Sequence, residues 1–212
     1  MARKTKQATQ ETYTALLDAA EQAFCAKGVT RTTLADVATA AAMTRGAIYW
    51  HFKDKNALFQ AMCDRAFLPM EALLNEILAS NELDPLEGIR CMIEQLLIQV
   101  GANSRQRNVF DIIFHHCEKN QDMAFFDNEE KKRGECLSHM ETMLQRAVAQ
   151  GRLAANTDTA LAVQALHAYL IGLIHEWLVD QQAYDLRQHA RTMVDIFIAG
   201  LVARPPLKVT AG

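Results

Sequence analysis

The spacing of apolar residues predicts helices along almost the whole chain. Apolar residues recur every three or four positions, and no stretch alternates between apolar and polar residues as a half-buried strand does. One stripe ends at Gly28, and glycine is the usual residue after a helix C-terminus. Its members are Leu16, Leu17, Ala20 and Phe24. The pattern predicts an all-α fold of about nine helices.

Capping residues predict where the helices begin. Thr32 or Thr33 is placed to cap a short second helix, and Thr44 to cap a third of about two turns. A fourth helix is expected over residues 54–78, bent at Pro69 because proline removes a backbone hydrogen bond. Residues 79–85 form the clearest linker. The remaining helices are predicted over about 86–101, 104–118, 122–150, 158–180 (capped by Thr157 or Asp158) and 186–203.

Four consecutive ring-bearing residues, 49–52, mark the third predicted helix. Successive helical residues point in different directions, so these four cannot all face a core. Ile48 and Phe52, four positions apart, are expected to be buried. The residues between them, Tyr49, Trp50 and His51, are expected to project outward. The alternative, in which the rings are core and the flanking lysines are merely solvated, conflicts with this spacing.

The second and third helices, joined by a tight turn, form a helix-turn-helix pattern. Such a unit places its second helix in the major groove of DNA, with the N-terminal residues nearest the bases. Arg45 at that end is suited to guanine or phosphate, and a basic N-terminal arm to an adjacent minor groove. The predicted DNA-binding residues are Arg3, Lys4, Lys6, Thr33, Thr44, Arg45, Gly46, Ala47, Tyr49, Trp50, His51, Lys53 and Lys55.

Charge and composition indicate that the chain has two parts with different partners. The net charge of −3 combines +3 over residues 1–55 with −6 over residues 56–212, so the two parts are expected to face different partners. No apolar run reaches the roughly 18 residues that span a bilayer, and no secretory signal is present. The five scattered cysteines suit reduced thiols in the cytoplasm rather than disulfides or a zinc site. The protein is expected to be cytoplasmic and to bind no membrane.

Residues 27–59, KGVTRTTLADVATAAAMTRGAIYWHFKDKNALF, resemble the DNA-binding signature of the TetR family of repressors. The start MARKTKQATQET and the later FHHCE resemble the branch of that family that represses multidrug efflux pumps. The resemblance implies an all-helical homodimer with a DNA-binding domain at 1–55 and a ligand-binding and dimerisation domain at 56–212. Similar sequences often carry glycine where Ala42 stands, so Ala42 must tolerate that backbone or use another turn geometry.

The body of the chain, residues 56–212, contains no catalytic motif or phosphate-binding loop, and no enzyme activity or cofactor is expected. For each of its large apolar residues taken alone, packing in a protein core is the simpler explanation. The resemblance implies that, together with a few polar groups, they line a pocket for hydrophobic or aromatic drugs. The predicted ligand-binding residues are Phe67, Met70, Glu71, Met92, Ile93, Leu96, Phe110, Asp111, Phe114, Cys136, Met140, His167, Ile171 and His175.

The last two helices carry apolar stripes that we expect to form the dimer interface, although packing within one chain is an alternative. The stripes are Leu161, Leu166, Leu170, Leu173, Trp177 and Leu178, and Met193, Val194, Phe197, Ile198 and Leu201. The expected function is a repressor of an efflux operon and of its own gene, released from operator DNA by drugs. Its rivals are a helical enzyme and a redox or metal regulator using His115, Cys117 or Cys136. Metal binding is disfavoured because only His115 and Glu118 share a helix face.

Overall fold

The structure, a computed structural model, describes residues 2–79, 83–117 and 124–209. Over these residues the fold is all-α, with nine helices and a single β-bridge between Thr157 and Leu207. The helices are α1 (Ala2–Lys27), α2 (Leu34–Ala40), α3 (Arg45–His51), α4 (Lys55–Ala79), α5 (Pro85–Ala102), α6 (Ser104–Asp111), α7 (Ala124–Ala149), α8 (Thr159–Val179) and α9 (Leu186–Ala203). A π-helical turn, Ile112–His116, continues α6 and was not predicted. The predicted fold class is confirmed.

The chain folds as two compact units. Unit 1 comprises Met1–Leu68 and Arg105–Glu129, and unit 2 comprises Pro69–Ser104 and Glu130–Gly212. Unit 1 is therefore larger than the DNA-binding domain predicted at 1–55, because it also contains the first half of α4, α6 and the π-helical turn. Helix α4 passes from one unit into the other at Pro69, which lies inside the helix.

The core of unit 1 explains why α1, α2 and α3 take these positions. The predicted α1 stripe is fully buried, and the ring of Phe24 lies 5.6 Å from that of Phe59 on α4. Thr33, not Thr32, caps α2: its hydroxyl accepts from the amide of Asp36, whose carboxylate accepts from the amide of Thr33. Such reciprocal capping satisfies two amides that the helix itself leaves unbonded. Thr32 is instead buried and donates its hydroxyl to the carbonyl of Gly28.

Aspartates cap three helices of unit 2. Asp84, Asp158 and Asp185 precede α5, α8 and α9, and each carboxylate accepts a backbone amide from the first turn. Asp158 therefore settles the choice left open between it and Thr157. The predicted bounds of α8 and α9 agree with the structure to within one residue.

Helix α8 corrects the expectation that no segment is apolar enough to cross a membrane. By length and composition alone it passes that test, with a mean hydropathy of 1.2. Its buried residues recur every three to four positions, from Thr159 to Leu178, as in a helix packed on one side. The apolar character of α8 is thus used in packing within unit 2.

The predicted dimer stripes lie largely inside unit 2, which favours the alternative of packing within one chain for most of their residues. They are buried because α8 and α9 pack against each other and against α5. The hydroxyl of Tyr169 on α8 also donates to the carbonyl of Met193 on α9, 2.9 Å away. The buried residues are Leu166, Leu170, Trp177, Leu178, Val194, Ile198 and Leu201, whereas Leu161 is exposed.

Candidate functional site

The turn between α2 and α3 has the geometry that the sequence left in question. Ala42 has φ +54°, in the left-handed region where glycine is the usual residue. The amides of Ala42 and Met43 donate to the carbonyls of Thr39 and Ala38, at 3.0 and 2.8 Å. These two bonds close α2 and turn the chain into α3. Ala42 therefore adopts the backbone of a glycine instead of using another geometry.

Replacing Ala42 by glycine is expected to stabilise the protein. A left-handed residue other than glycine costs about 1–2 kcal/mol, and the greater freedom of glycine in the unfolded chain offsets about 0.4–1 kcal/mol of that gain. A net gain of about 1 kcal/mol corresponds to a rise in Tm of roughly 2–4 °C for a chain of this size. Thermal unfolding of the two proteins at equal concentration measures it. A lower Tm for Ala42→Gly would contradict this interpretation of the turn.

Helix α3 begins with small and exposed residues. The hydroxyl of Thr44 accepts from the amide of Ala47 at 3.2 Å, which caps the helix. Arg45 and Gly46 are exposed, and a side chain at Gly46 would meet only the Thr44 hydroxyl within 4 Å. The N-terminus of α3 thus presents a free surface that a large ligand can approach closely.

The ring-bearing residues divide almost as predicted. Ile48 and Phe52 are 0% and 3% exposed, whereas Tyr49 and Trp50 are 54% and 71% exposed. His51 departs from the prediction because it is partly buried, with its ring 5.7 Å from that of Tyr13 on α1. Burial lowers the pKa of the His51 imidazole, which favours its neutral form. His51 is therefore packed against α1 and does not project outward with its two neighbours.

The basic residues near α3 have different environments. Lys53 is exposed, with its ammonium 3.9 Å from the carboxylate of Asp54. The ammonium of Lys55 instead donates to the carbonyls of Val29 and Thr30, at 2.8 and 3.1 Å. This contact engages the ammonium of Lys55 in holding the loop between α1 and α2, which disfavours the predicted DNA contact of Lys55.

The predicted N-terminal arm is helical. Helix α1 begins at Ala2, so Arg3 and Lys4 belong to this helix, and their contact with a minor groove stays a prediction. Lys6 is exposed on that helix, while the side chains of Arg3 and Lys4 lie outside the described residues. Thr33, another predicted contact, is exposed but uses its hydroxyl in the cap of α2.

A polar cluster that sequence reasoning missed lies between α1, α4 and α6. The guanidinium of Arg65 donates to the carboxylates of Asp18 at 2.7 Å and of Glu21 at 3.1 Å. Arg105 contacts the same Asp18 at 3.3 Å, and the amide of Asn108 donates to Glu21 at 2.8 Å. Up to 87 residues separate these partners along the chain, so no local pattern indicates the cluster.

The predicted ligand-binding residues of unit 1 lie on α4 and on the segment formed by α6 and the π-helical turn. The rings of Phe67 and Phe110 are 5.1 Å apart, and those of Phe110 and Phe114 are 5.8 Å apart. Asp111, predicted to face a ligand, instead contacts His115 Nδ1 at 2.7 Å and His116 Nε2 at 3.4 Å. The structure therefore brings the three phenylalanines together but engages the carboxylate within the chain.

The remaining predicted ligand-binding residues lie in unit 2. Met92, Ile93 and Met140 are buried. Burial, with a smaller contribution from Arg133, lowers the pKa of the His167 imidazole. The partly buried members are Leu96, Cys136, His167, Ile171 and His175, and the side chains of Met70 and Glu71 lie outside the described residues.

A surface groove of about 510 Å³ lies between α5 and α9, and none of the predicted ligand-binding residues lines it. Its charged residues are Arg90, Arg191 and Asp195. The guanidinium of Arg90 donates to the carboxylate of Asp195 at 2.6 Å, so the charges at this groove already pair with each other.

Two of the five thiols have raised pKa values, and neither belongs to the redox-responsive alternative, which names Cys117 and Cys136. Burial raises the pKa of the Cys25 thiol to about 11, and burial together with nearby carboxylates raises that of Cys91. The thiolate is the reactive form, so both cysteines are less reactive at neutral pH than a free thiol. No group of three His, Cys, Asp or Glu in the described part of the chain is arranged to hold a metal ion. Glu118 lies outside that part.

Cys25 is expected to react slowly with maleimide at pH 7. With a folded pKa of about 11 the thiol stays protonated, and the stability that this protonated burial contributes is lost only as pH rises past the unfolded value of 9.0 toward 11. Mass spectrometry of the labelled Cys25 peptide, with the urea-unfolded protein as control, measures the rate. Equal rates in the folded and unfolded protein would contradict the burial of this thiol.

Known proteins resemble this chain over nearly its whole length. Residues 16–62 match the family described as "Bacterial regulatory proteins, tetR family", and residues 84–202 match "MAATS-type transcriptional repressor, C-terminal region". The transcriptional regulator TtgR of Pseudomonas putida is 35% identical over 209 residues, which cover 98% of this chain and 100% of TtgR.

Two solved structures are similar as well. NalD, the secondary repressor of the MexAB-OprM multidrug efflux pump of Pseudomonas aeruginosa, has 31% identity and a TM-score of 0.78 over 92% of this chain and 97% of its own. SmeT, the repressor of the Stenotrophomonas maltophilia pump SmeDEF, was solved in complex with triclosan. That complex has 28% identity and a TM-score of 0.78 over 95% of this chain and 100% of its own.

Proposed function

Because this chain belongs to the TetR family of bacterial transcriptional regulators, we propose that it represses a multidrug efflux operon and its own gene in the cytoplasm. The observation that carries the proposal is the surface of α3. Arg45, Tyr49 and Trp50 are exposed beside a capped helix start, on a helix that Ile48 and Phe52 anchor in the core. Recognition helices of helix-turn-helix proteins present their N-terminal residues to the major groove in this way.

The proposed DNA contacts differ in whether a base or a phosphate is bound. The guanidinium of Arg45 is suited to the paired acceptors of guanine, or to a phosphate. The hydroxyl of Tyr49 and the indole N–H of Trp50 are suited to phosphate oxygens, and Lys53 adds an exposed charge. Lys55 is not among the proposed contacts because it holds the α1–α2 loop.

We further propose that the repressor is a homodimer that binds a pseudo-palindromic operator. The centres of the two half-sites must then lie one helical turn of DNA apart, about 34–36 Å, or a multiple of that distance. The exposed apolar residues of α8 and α9, and not the buried stripes, are the proposed interface. They are Leu161, Val179, Ile196 and Val202, and the small exposed residues Ala165, Ala168 and Gly172 lie on α8 and permit close helix approach.

Hydrophobic aromatic compounds are the proposed effectors. The neighbouring rings of Phe67, Phe110 and Phe114 offer an apolar aromatic surface in unit 1. The complex of the similar protein SmeT with triclosan supports this chemical class. A compound that prefers the state of low operator affinity must weaken DNA binding by the same factor by which DNA weakens its own binding.

Operator affinity with and without triclosan, at one salt concentration, tests the proposal. The probe is the duplex upstream of the protein's own gene, and a scrambled duplex of equal length is the control. We expect specific binding that triclosan weakens by roughly 5- to 150-fold, the usual range of allosteric coupling. Equal affinity for the two duplexes would refute the repressor, and an affinity unchanged by a panel of aromatic compounds would refute the sensor.

A further inference from the structure

The π-helical turn after α6 is held by one carboxylate. In an α-helix the residue five positions on points about 140° away, so Asp111 could not meet both His115 and His116. In a π-helix the hydrogen bonds run from i to i+5, and residues i+4 and i+5 both lie over residue i. Asp111 accordingly contacts His115 at 2.7 Å and His116 at 3.4 Å. The two imidazoles and the carboxylate thus favour the π register over the α register.

The end of this turn is bonded to the loop that leads into α2. The carbonyl of His116 accepts from the amide of Val29 at 2.9 Å. Gly28, with φ +79°, lies beside the same carbonyl oxygen, since a Cβ there would be in van der Waals contact with it at 3.4 Å. The ammonium of Lys55 donates to the carbonyl of Val29 at 2.8 Å. Val29 is therefore held through its N–H by the π-helical turn and through its C=O by Lys55 at the start of α4.

We infer that the π-helical turn Ile112–His116 is a switch between π and α hydrogen bonding that controls α2 and α3. Asp111 holds the turn in the π register, in which the carbonyl of His116 bonds the amide of Val29 and so tethers the α1–α2 loop. The turn begins two residues after Phe110 and includes Phe114, so an aromatic compound on those rings bears on the same segment. Return of the turn to the α register moves the His116 carbonyl from Val29 and leaves the α1–α2 loop free. Operator binding must then order that loop again, which lowers affinity. This regulation rests on the proposed function.

Replacing Asp111 by alanine tests the switch in the full-length protein. The Val29 amide is expected to exchange with deuterium at least tenfold faster than in the wild type. Operator affinity without any effector is expected to fall about five- to tenfold, which corresponds to the loss of roughly one hydrogen bond. The amides of Ala41 and Phe52 donate to the carbonyls of Val37 and Ile48 at the ends of α2 and α3. They are expected to keep their protection from deuterium exchange and so to report an intact fold.

The hydrogen bond between Val29 and His116 is tested from the side of the α1–α2 loop by Gly28→Ala. Gly151→Ala is the matched control, because Gly151 has φ +71° with nothing within 4 Å of a Cβ. Both substitutions carry the cost of a left-handed alanine, but only at Gly28 does this strain act on the residue before Val29, so only Gly28→Ala is expected to weaken operator binding. Its effect and that of Asp111→Ala are expected to combine to less than their sum, because both act on one contact.

The results separate the switch from the proposed function. Unchanged Val29 exchange in Asp111→Ala overturns the switch, even where the wild type binds its operator. Additive effects of Asp111→Ala and Gly28→Ala on operator affinity overturn it as well. A wild type that binds no operator, together with faster Val29 exchange in the variant, would refute the repressor but retain the tether.

Discussion

Replacing Arg45 by alanine is expected to weaken operator binding by about 1–3 kcal/mol, or roughly 5- to 150-fold, as for the loss of one good base contact. The physical reason is that the guanidinium is exposed at the start of α3, where no protein carboxylate neutralises it in the described contacts. Tyr49→Ala is expected to weaken binding by a smaller factor, because its hydroxyl is suited to a phosphate. Fluorescence anisotropy with the operator duplex measures both.

The dependence of affinity on salt distinguishes the two kinds of contact. If Arg45 binds a base, the variant is expected to lose discrimination at one operator position while the salt slope stays the same. If it binds a phosphate, the slope decreases by about one and affinity falls equally for all sequences. Arg204→Ala, which removes an exposed arginine after α9, is the control and is expected to bind as the wild type does. Wild-type affinity in the Arg45→Ala, Tyr49→Ala double variant would refute α3 as the recognition helix.

Replacing Arg65 by leucine is expected to destabilise the protein by about 3 kcal/mol, the lower end of the cost of leaving a buried charge without its partner. The side chains of Arg65 and Glu21 are only 16% and 10% exposed, so water replaces little of the lost contact. Arg105 and Asn108 still contact Glu21, which keeps the cost from being larger. Urea unfolding at fixed protein concentration measures the change, because association between chains also affects apparent stability.

A second substitution isolates the buried charge as the cause. Adding Glu21→Gln to Arg65→Leu removes the buried negative charge that has lost Arg65 as its partner, and is expected to restore much of the lost stability. Arg152→Ala breaks an ion pair with Asp84 in which the arginine is 56% exposed, and is expected to leave stability unchanged. Equal losses in Arg65→Leu and Arg152→Ala would show that burial does not set the strength of the α1–α4–α6 cluster.

The outcome for α3 shows why its surface was predictable. Burial alternates over three to four residues in any helix packed on one side, so Ile48 and Phe52 point to the core while Tyr49 and Trp50 do not. His51 was misplaced because its environment depends on Tyr13, 38 positions earlier in the sequence, on another helix. The periodicity of α3 carries no information about that neighbour.

The π-helical turn and the tether of Lys55 show the same limit. The metal argument uses the angles of an α-helix for His115 and His116, and in an α-helix Asp111 could not meet both of them. Lys55 was assigned to DNA by its charge and its place after the aromatic residues. Its contact with Val29, 26 residues away along the chain, exists only because α4 returns to the α1–α2 loop.

The amino-acid sequence alone established the features that depend on short stretches of chain: about nine helices, a cap at Thr44, caps at Thr32 or Thr33 and at Thr157 or Asp158, and the exposed rings of Tyr49 and Trp50. Helical periodicity and side-chain capping act over three or four residues, so the chain carries them whatever surrounds it. Contacts between distant helices decided the rest: the ion-pair cluster of Arg65, the burial of the α8 and α9 stripes, and the engagement of Asp111 and Lys55. Each depends on which helices meet, and that is settled by packing of the whole unit rather than by any one segment.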